Sequence, residues 1–248
     1  NPSGEKMTDL PTVSVLIGTR DRPFPLTRCI KSILEQDYPN LEVIVFDDCS
    51  EQEKIAEVVA SQVDRSSVQF VRSAESLGVA GGRNLLMQEA SGEFMVVVDD
   101  DALFPNTHDI SRIVETFDKH PDGGMTATKV VEPGGDETDY LLPFPKRALN
   151  KNPGLMDAPS YISYFVGACH AFRRSVAESL PGYESDLVYG LEESFFSYRA
   201  LQSGVKLMYI PDAMIHHMPE PSVVANAKRG DLVLYFLDGY KISMTDRR

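Results

Sequence analysis

Phe94-Met95-Val96-Val97-Val98-Asp99-Asp100-Asp101 is the stretch that decides the fold. Five apolar residues in a row, three of them valines, predict a strand that is buried on both faces, as in a parallel sheet. Three carboxylates follow without a break. Because open α/β sheets bind ligands beyond the carboxyl ends of their strands, the stretch predicts both a central strand and a ligand site at its end.

The residues on either side alternate between short apolar runs and amphipathic stretches, which is typical of a βαβ series. In the first half, this pattern predicts strands over 13–17, 41–46, 68–71 and 94–98 and helices over 26–34, 55–59, 82–90 and 110–117. In the second half, it predicts a long Pro/Gly-rich loop over 131–159, a regular segment over 161–172, helices over 174–179 and 193–203, and a strand over 205–210. The expected fold class is α/β, with a mostly parallel central sheet flanked by helices.

Composition and charge exclude several classes of protein. Lys and Arg number 24 against 37 Asp and Glu, a net charge of −13, so the surface repels nucleic acid and we expect no nucleic-acid partner. No run approaches the roughly 18 apolar residues of a membrane-spanning helix, and the first residues do not resemble a signal peptide. Cys29, Cys49 and Cys169 are odd in number and form no CxxC pair, which indicates free thiols in a reducing compartment.

The acidic run Asp99-Asp100-Asp101 is the first candidate for chemistry. Three adjacent carboxylates repel one another at a strand end unless a positive charge neutralises them. Mg²⁺ or Mn²⁺ would do so through hard oxygen ligands and would also bridge a diphosphate. The alternative interpretation is an acidic turn in water.

The other strands of the first half also end in polar residues. Gly18-Thr19-Arg20-Asp21-Arg22 follows the first strand, and Asp47-Asp48-Cys49-Ser50 follows the second. Since the carboxyl ends of parallel strands meet at one edge, we expect both segments to converge with the acidic run. The glycines from Gly78 to Gly82, followed by Arg83, predict either backbone N–H groups near an anion or simply a tight turn into a helix.

Two motifs in the second half offer further chemistry. Glu192 and Glu193 stand at a helix start, where the helix dipole favours acids, and one of them could act as a general base toward an acceptor hydroxyl. His216 and His217 come six residues after the last predicted strand. They are either structural or, together with the acidic run, a source of an additional metal ligand.

Taken in order, these segments resemble the inverting glycosyltransferases of family 2, which have the Rossmann-like GT-A fold, and the resemblance covers roughly residues 12–217. The segment 13–22 resembles the family's opening strand and first nucleotide loop, and 77–84 resembles a further donor-side segment. Asp47-Asp48-Cys49-Ser50 resembles the Asp-Asp-Gly-Ser signature, which makes Asp48 the first choice to contact the nucleotide base. Asp99-Asp100-Asp101 resembles the Asp-x-Asp motif that holds the metal and the diphosphate. Asp99 and Asp101 have the spacing of that motif, and Asp100 is the alternative ligand.

The resemblance also assigns the second-half motifs. Glu192-Glu193 falls where the family has Glu-Asp, and the second acid is the base, so Glu193 takes that role one methylene longer than usual. The segment 211–217 resembles the one that ends in a metal-associated His, and spacing favours His217 over His216. The resemblance thus implies catalytic residues Glu193 and Glu192; donor-binding residues Gly18, Thr19, Arg20, Asp21, Asp47, Asp48, Gly78, Arg83, Asp99 and Asp100; and metal ligands Asp99, Asp100, Asp101, His217 and His216.

The implied protein is a hexosyltransferase of polysaccharide biosynthesis. It would take a sugar from a nucleotide-diphosphate donor, with a UDP-sugar as the first expectation, and use Mn²⁺ or Mg²⁺. The acceptor would be a saccharide, a lipid-linked molecule or a protein, and the location would be cytoplasmic, with peripheral association at the inner face of the membrane. The expected organisation is a tail over 1–11, a GT-A domain over 12–218 and a loop with a short helix over 219–248. Within the domain, 12–105 would bind the nucleotide sugar and 106–218 the acceptor.

Three alternatives stand beside this interpretation. A degenerate nucleotide- or sugar-binding module would explain the departures from the family pattern at Gly18, Cys49 and Glu193. A sugar nucleotidyltransferase would have a Gly-rich loop after the first strand, which 18–22 lacks. A dinucleotide-dependent oxidoreductase would have a phosphate fingerprint at the same place, and none is found there.

Overall fold

A computed structural model describes residues 10–51, 55–132, 142–186 and 191–219. Within these ranges, 3₁₀ turns lie at Arg65–Ser67 and Pro153–Met156. The strands and helices, in chain order, are β1 (Val13–Thr19), α1 (Pro23–Leu34), β2 (Leu41–Asp47), α2 (Ile55–Ala60), β3 (Val68–Arg72), α3 (Gly78–Glu89), β4 (Phe94–Asp99), β5 (Ala102–Leu103), α4 (Asp109–Lys119), β6 (Gly123–Val131), α5 (Lys146–Lys151), β7 (Ser160–Ile162), β8 (Cys169–Arg173), α6 (Arg174–Ser179), α7 (Glu192–Gln202) and β9 (Lys206–His217).

The strands form one mixed sheet in the order β3-β2-β1-β4-β8-β6-β9-β5, with β7 beside β9. The strands of the first half, β1 to β4, pair in parallel. Strand β8 runs antiparallel between β4 and β6, whereas β6 and β9 are parallel to each other. The α/β class with a central sheet between helices is therefore confirmed. The sheet is parallel in its first half and mixed beyond β4.

The core lies in two layers, one on each face of the sheet, and β4 contributes to both. Val96 and Val98 pack into the layer with α1 and α4, while Met95 and Val97 pack into the layer with α3, α6 and α7. All four side chains are almost completely buried, since successive strand residues point to opposite faces. The apolar run thus forms the central strand that the sequence predicts.

The structure departs from the sequence-based expectations at several elements. No strand is predicted over 123–131, yet β6 lies there between β8 and β9; its sequence mixes Gly, Thr and Lys with apolar residues, so no apolar run marks it. The predicted loop over 131–159 contains α5 and a 3₁₀ turn. Helix α3 begins at Gly78 instead of residue 82, because its glycines enter the first turn of the helix.

The prediction that the last strand ends at residue 210 is wrong, because β9 continues to His217. Thr128 pairs with Ile210 and Lys129 pairs with Met214, so 211–213 form a bulge in β9. Pro211 has no N–H to donate, and the bulge accommodates it without ending the strand. His216 and His217 therefore lie in a strand of the sheet and not in a loop.

Most of the two predicted tails, 1–11 and 219–248, lies outside the described residues. In the described part of the chain, no helix is both long enough and apolar enough to cross a membrane. Cys29, Cys49 and Cys169 are free thiols, as the sequence predicts.

Candidate active site

The polar ends of the first-half strands meet at one edge of the sheet. In the registers of β1, Thr19 lies opposite Asp47 on β2, and Gly18 lies opposite Asp99 on β4. The convergence expected from the sequence is therefore confirmed, and it sets the acidic run beside the two loops that follow β1 and β2.

Asp99, Asp101 and His217 form a cluster at this edge. Each offers one ligand atom, and these atoms all lie within 4.8 Å of one another. The pairing of β5 with β9 places Ala102 opposite His217 and so brings the imidazole to the acidic run. His217 Nε2 lies 3.4 Å from Asp101 Oδ1, and the sheet alternation excludes His216 from this cluster.

Asp100 lies apart from the cluster and is neutralised by other groups. Thr19 Oγ1 donates to its Oδ2 at 2.6 Å, and Arg22 Nη1 donates to its Oδ1 at 2.6 Å. Burial raises the pKa of Asp100 to about 7 in spite of these partners. Arg22 Nη2 also donates to Asp101 Oδ2 at 2.7 Å. Burial opposes the ionised form of Asp101, but hydrogen bonds from His217 and Arg22 lower its pKa to about 2.

Arg83 connects the cluster to α7. Its side chain is only 5% exposed, and its Nη1 donates to Glu193 Oε1 at 2.6 Å and lies 3.7 Å from Glu192 Oε1. Its Nη2 lies 3.2 Å from Asp99 Oδ1 and 3.4 Å from the carbonyl oxygen of Gly167. Burial disfavours the cation, but the surrounding carboxylates raise the pKa of Arg83 above its usual range. The predicted anion-facing arginine is thus surrounded by the protein's own acids.

The two acids at the start of α7 differ in their surroundings. Glu192 is buried, its Oε2 has no hydrogen-bond partner among the described residues, and burial raises its pKa to about 7. The side chain of Glu193 is 17% exposed, against 6% for Glu192. A Cβ atom at Gly167 would lie 2.1 Å from Glu193 Oε1, so only glycine leaves room for this carboxylate. Glu193 is therefore the acid that both touches Arg83 and reaches the surface.

Side chains of the loops after β1 and β2 fix the nearby backbone. Asp47 accepts from Arg72 Nη1 at 2.6 Å and from the Ser50 N–H at 3.0 Å. Asp48 accepts from the N–H groups of Leu77 at 2.6 Å and Gly78 at 3.2 Å, at the start of α3. These contacts join the predicted donor-side segments, which are the loops after β1 and β2 and the start of α3 at Gly78. We call this surface the rim.

The same rim ties the first loop to the second. Ser50 Oγ accepts from the Asp21 N–H at 2.8 Å, and Asp21 Oδ1 accepts from the Glu51 N–H at 2.8 Å. Arg20 Nη1 donates to Ser76 Oγ at 3.2 Å, beside Asp48. Asp21 and Cys49 have φ angles of 54° and 56°, a left-handed conformation that costs an L-residue about 1–2 kcal/mol. Cys49 occupies the position of the glycine in Asp-Asp-Gly-Ser, where that conformation carries no such penalty.

Several residues that shape this site are missing from the sequence-based prediction. Arg22 neutralises Asp100 and Asp101, and Arg72 neutralises Asp47. The only signal that could have indicated these arginines is that a buried acid requires a nearby cation. The guanidinium carbon of Arg83 lies 5.5 Å from the centroid of the Tyr183 ring, and Tyr183 Oη lies 2.5 Å from His170 Nε2. No sequence pattern marks that pair, because they are brought together by β8 and the loop before α7.

The buried imidazole of His170 makes the stability of the folded protein sensitive to acid. Burial, followed by the nearby charge of Arg83, lowers the pKa of this imidazole well below 6.5. The unfolded chain takes up a proton there below pH 6.5 and the folded protein does not, so stability is complete above that pH and falls as the pH drops. One such group changes the free energy of unfolding by at most about 1.4 kcal/mol per pH unit. We expect the free energy of unfolding, measured by urea denaturation, to fall less between pH 6.5 and about 5.5 in His170→Gln than in the wild type. An equal fall in both proteins would contradict the assignment.

The chain is similar in sequence to known glycosyltransferases. The family model described as Glycosyl transferase family 2 matches residues 14–180. A GalNAc(5)-diNAcBac-PP-undecaprenol beta-1,3-glucosyltransferase of Campylobacter jejuni is 37% identical over 93 residues, which cover 37% of this chain and 30% of the relative. An N-acetylglucosaminyltransferase of Rhizobium meliloti is 26% identical over 223 residues, which cover 83% of this chain and 51% of the relative. The chain thus spans about half or less of the length of these two curated relatives.

A solved structure shares the fold. It is a mannosyltransferase from Pyrobaculum calidifontis in complex with GDP-Man and Mn²⁺, with a TM-score of 0.67 and 23% identity. The similarity covers 89% of this chain and 61% of that one. At this level of identity the likeness concerns the fold alone.

Proposed function

The chain belongs to glycosyl transferase family 2 of enzymes, with the GT-A fold, and from that premise we propose that it transfers a sugar from a nucleotide-diphosphate donor to an acceptor hydroxyl with inversion at the anomeric carbon. One observation carries the proposal. Asp99, Asp101 and His217 gather at the sheet edge, and a single guanidinium, that of Arg83, joins Asp99 to Glu193 on α7. A donor-phosphate site and an acceptor base would need this proximity.

The residues of the cluster fit a divalent metal. Two carboxylates and an imidazole are ligands that Mn²⁺ accepts, and Mg²⁺ accepts the carboxylates. Arg22 binds Oδ2 of Asp101, so Oδ1 is the oxygen that faces His217. We propose Asp99, Asp101 and His217 as the ligands, and Asp100 as a residue that fixes the loop through Thr19 and Arg22. When bound, the metal would neutralise the charge of the departing diphosphate.

We assign the base to Glu193. Its carboxylate takes the proton of the acceptor hydroxyl while that oxygen forms its bond to the anomeric carbon. The bond from that carbon to the diphosphate breaks on the opposite face of the sugar, and the nucleoside diphosphate leaves. Glu192 is too deeply buried to meet an acceptor, so we propose that it supports the first turn of α7.

The rim formed by the loops after β1 and β2 is the proposed nucleotide site. It presents Gly18, Thr19, Arg20, Asp21, Asp47, Asp48 and Gly78 around the cluster. Asp48 remains our choice for the contact to the base, and a UDP-sugar remains the first donor to test. The name of the Campylobacter jejuni relative gives a lipid-linked saccharide, and on that ground we propose an acceptor of this kind, reached at the membrane surface.

A thermal-shift screen tests the function. UDP-, GDP- and dTDP-sugars would each be added with Mn²⁺ and, separately, with chelator. Because a ligand that binds only the folded state must raise Tm, we expect one nucleotide to stabilise the protein only when the metal is present. A protein that no donor stabilises, with metal or without it, would contradict the proposal.

The glycine beneath the proposed base provides a sharper test. Gly167→Ala would place a Cβ atom 2.1 Å from Glu193 Oε1, so the carboxylate must move. Displacing a catalytic group by about 1 Å lowers kcat by about 10²-fold, and we expect this loss with little change in Tm. The matched control is Gly154→Ala, whose Cβ would lie 3.5 Å from Asn152 Oδ1 and should leave kcat unaltered. An unchanged kcat in Gly167→Ala would place the base elsewhere.

A further inference from the structure

We propose that Arg83 and Asn84, adjacent residues of α3, are positioning residues that hold Glu193 in place and do not bind the donor. This inference rests on the proposed function, because it takes Glu193 as the base. It also changes the role of Arg83, which the sequence analysis assigns to donor binding.

The contacts of Arg83 join two elements of the site. One terminal nitrogen binds Glu193 on α7, and the other lies near Asp99 on β4 and the carbonyl oxygen of Gly167. A guanidinium is a rigid planar fork, so these contacts fix the distance and the angle between the two carboxylates. A lysine ammonium, as a single point charge, would not set that geometry.

Asn84 acts on the segment that precedes α7. Its Nδ2 donates to the Tyr183 carbonyl at 2.9 Å, and its Oδ1 accepts from the Tyr183 N–H at 2.8 Å. A side-chain amide carries both a donor and an acceptor, so it can bind the N–H and the carbonyl of one residue at the same time. Gly182, with a φ of 83°, allows the close approach, since a Cβ atom there would lie 2.5 Å from Asn84 Oδ1.

The ring of Tyr183 connects the segment held by Asn84 to α7. Its ring stacks on Phe196 with centroids 4.3 Å apart, and Phe196 lies one helical turn after Glu193. The guanidinium carbon of Arg83 lies 5.5 Å from the centroid of the same ring. Arg83 therefore holds the Glu193 carboxylate itself, whereas Asn84 holds the helix that carries it.

The burial of Arg83 argues against direct donor binding. Its side chain is 5% exposed, and both terminal nitrogens are already within reach of protein oxygens. A donor phosphate could reach this guanidinium only by displacing Glu193 or Asp99, both of which the proposed reaction requires. Arg83 is therefore better placed to hold Glu193 and Asp99 than to contact the donor.

The test separates kcat from donor affinity. Arg83→Gln should lower kcat by about 10²-fold and Asn84→Ala by about tenfold, because each displaces the base without touching the donor. The dissociation constant of the nucleotide sugar, measured by calorimetry without acceptor, should stay at the wild-type value in Asn84→Ala. In Arg83→Gln it should rise by less than about tenfold, since the lost guanidinium also contacts the proposed metal ligand Asp99. Arg83→Lys keeps the charge but not the fork, so we expect it to recover only part of the lost kcat.

Arg173→Gln is the matched control. Its guanidinium donates to the carbonyl oxygens of Gly123 at 2.9 Å and Phe117 at 2.7 Å, at the opposite edge of the sheet. This variant should lower Tm and leave kcat at the wild-type value. A loss of kcat equal to that of Arg83→Gln would mean that general destabilisation explains both variants, which would overturn the proposal.

Two further outcomes distinguish the inference from the function on which it rests. A donor dissociation constant that rises by about tenfold or more in Arg83→Gln, with kcat retained, would make Arg83 a donor ligand and overturn the inference. If the wild type transfers no sugar from any donor, the proposed function fails. A crystal structure of Arg83→Gln then still decides the positioning role: displacement of the Glu193 carboxylate by more than about 0.5 Å supports it, and an unmoved carboxylate overturns it.

Discussion

Glu193→Gln is expected to lower kcat by about 10²–10⁴-fold, the usual contribution of a general base, while nucleotide-sugar binding survives. The amide oxygen can still accept from Arg83 at the position of Oε1, so the first turn of α7 should keep its place. The amide cannot take the proton of the acceptor hydroxyl, and only the chemical step is lost. Steady-state kinetics with the donor identified by thermal shift would measure the effect.

Glu115→Gln is the control for this variant, since Glu115 lies on the exposed side of α4, where it pairs with Lys119. It should retain the wild-type kcat. Turnover within a factor of about three in Glu193→Gln would contradict the assignment, because a general base typically contributes about 10²–10⁴-fold. Glu192→Gln would then be the next variant to measure.

Asp101→Asn is expected to remove the metal response of the protein. A neutral amide is a much weaker ligand for a hard divalent cation than a carboxylate, and the variant keeps the shape of the side chain. Loss of the metal at the diphosphate removes several kcal/mol of transition-state stabilisation, so kcat/KM should fall by at least about 10²-fold. The Mn²⁺-dependent rise in Tm on adding the nucleotide sugar should disappear with it.

The matched control is Asp122→Asn, which removes an exposed carboxylate that pairs with Lys206 on β9. Its metal-dependent Tm shift should equal that of the wild type. If Asp101→Asn also kept the full shift, the cluster of Asp99, Asp101 and His217 would not be the metal site. Asp100, paired with Arg22, would then have to be reconsidered as the ligand.

The sequence predicts the first half of the fold well because its local signals agree with its tertiary environment. The run from Phe94 to Val98 is apolar on both sides of the pleat, and β4 is buried on both faces. The second half is harder to predict, because its signals are weak or misleading. Strand β6 is buried by β8 and β9 and not by an apolar pattern of its own, and Pro211 predicts an end where β9 only bulges.

The same division holds within the site. From the sequence alone follow the family, the acidic run at the end of a central strand, the two acids at the start of α7, and the convergence of three strand ends. Side-chain spacing along a strand or helix is a local property, and each of these features is local or follows from parallel pairing.

Only the tertiary structure decides which of these groups meet. It places Asp101 rather than Asp100 beside His217, it brings Arg22 to the buried acids, and it surrounds Arg83 with carboxylates from β4 and α7. These contacts join residues that are distant in the chain, such as Arg83 and Glu193, which lie 110 positions apart. Their physical cause is the cost of burying an unpaired charge, which selects partners by position in space and leaves no periodic mark in the sequence.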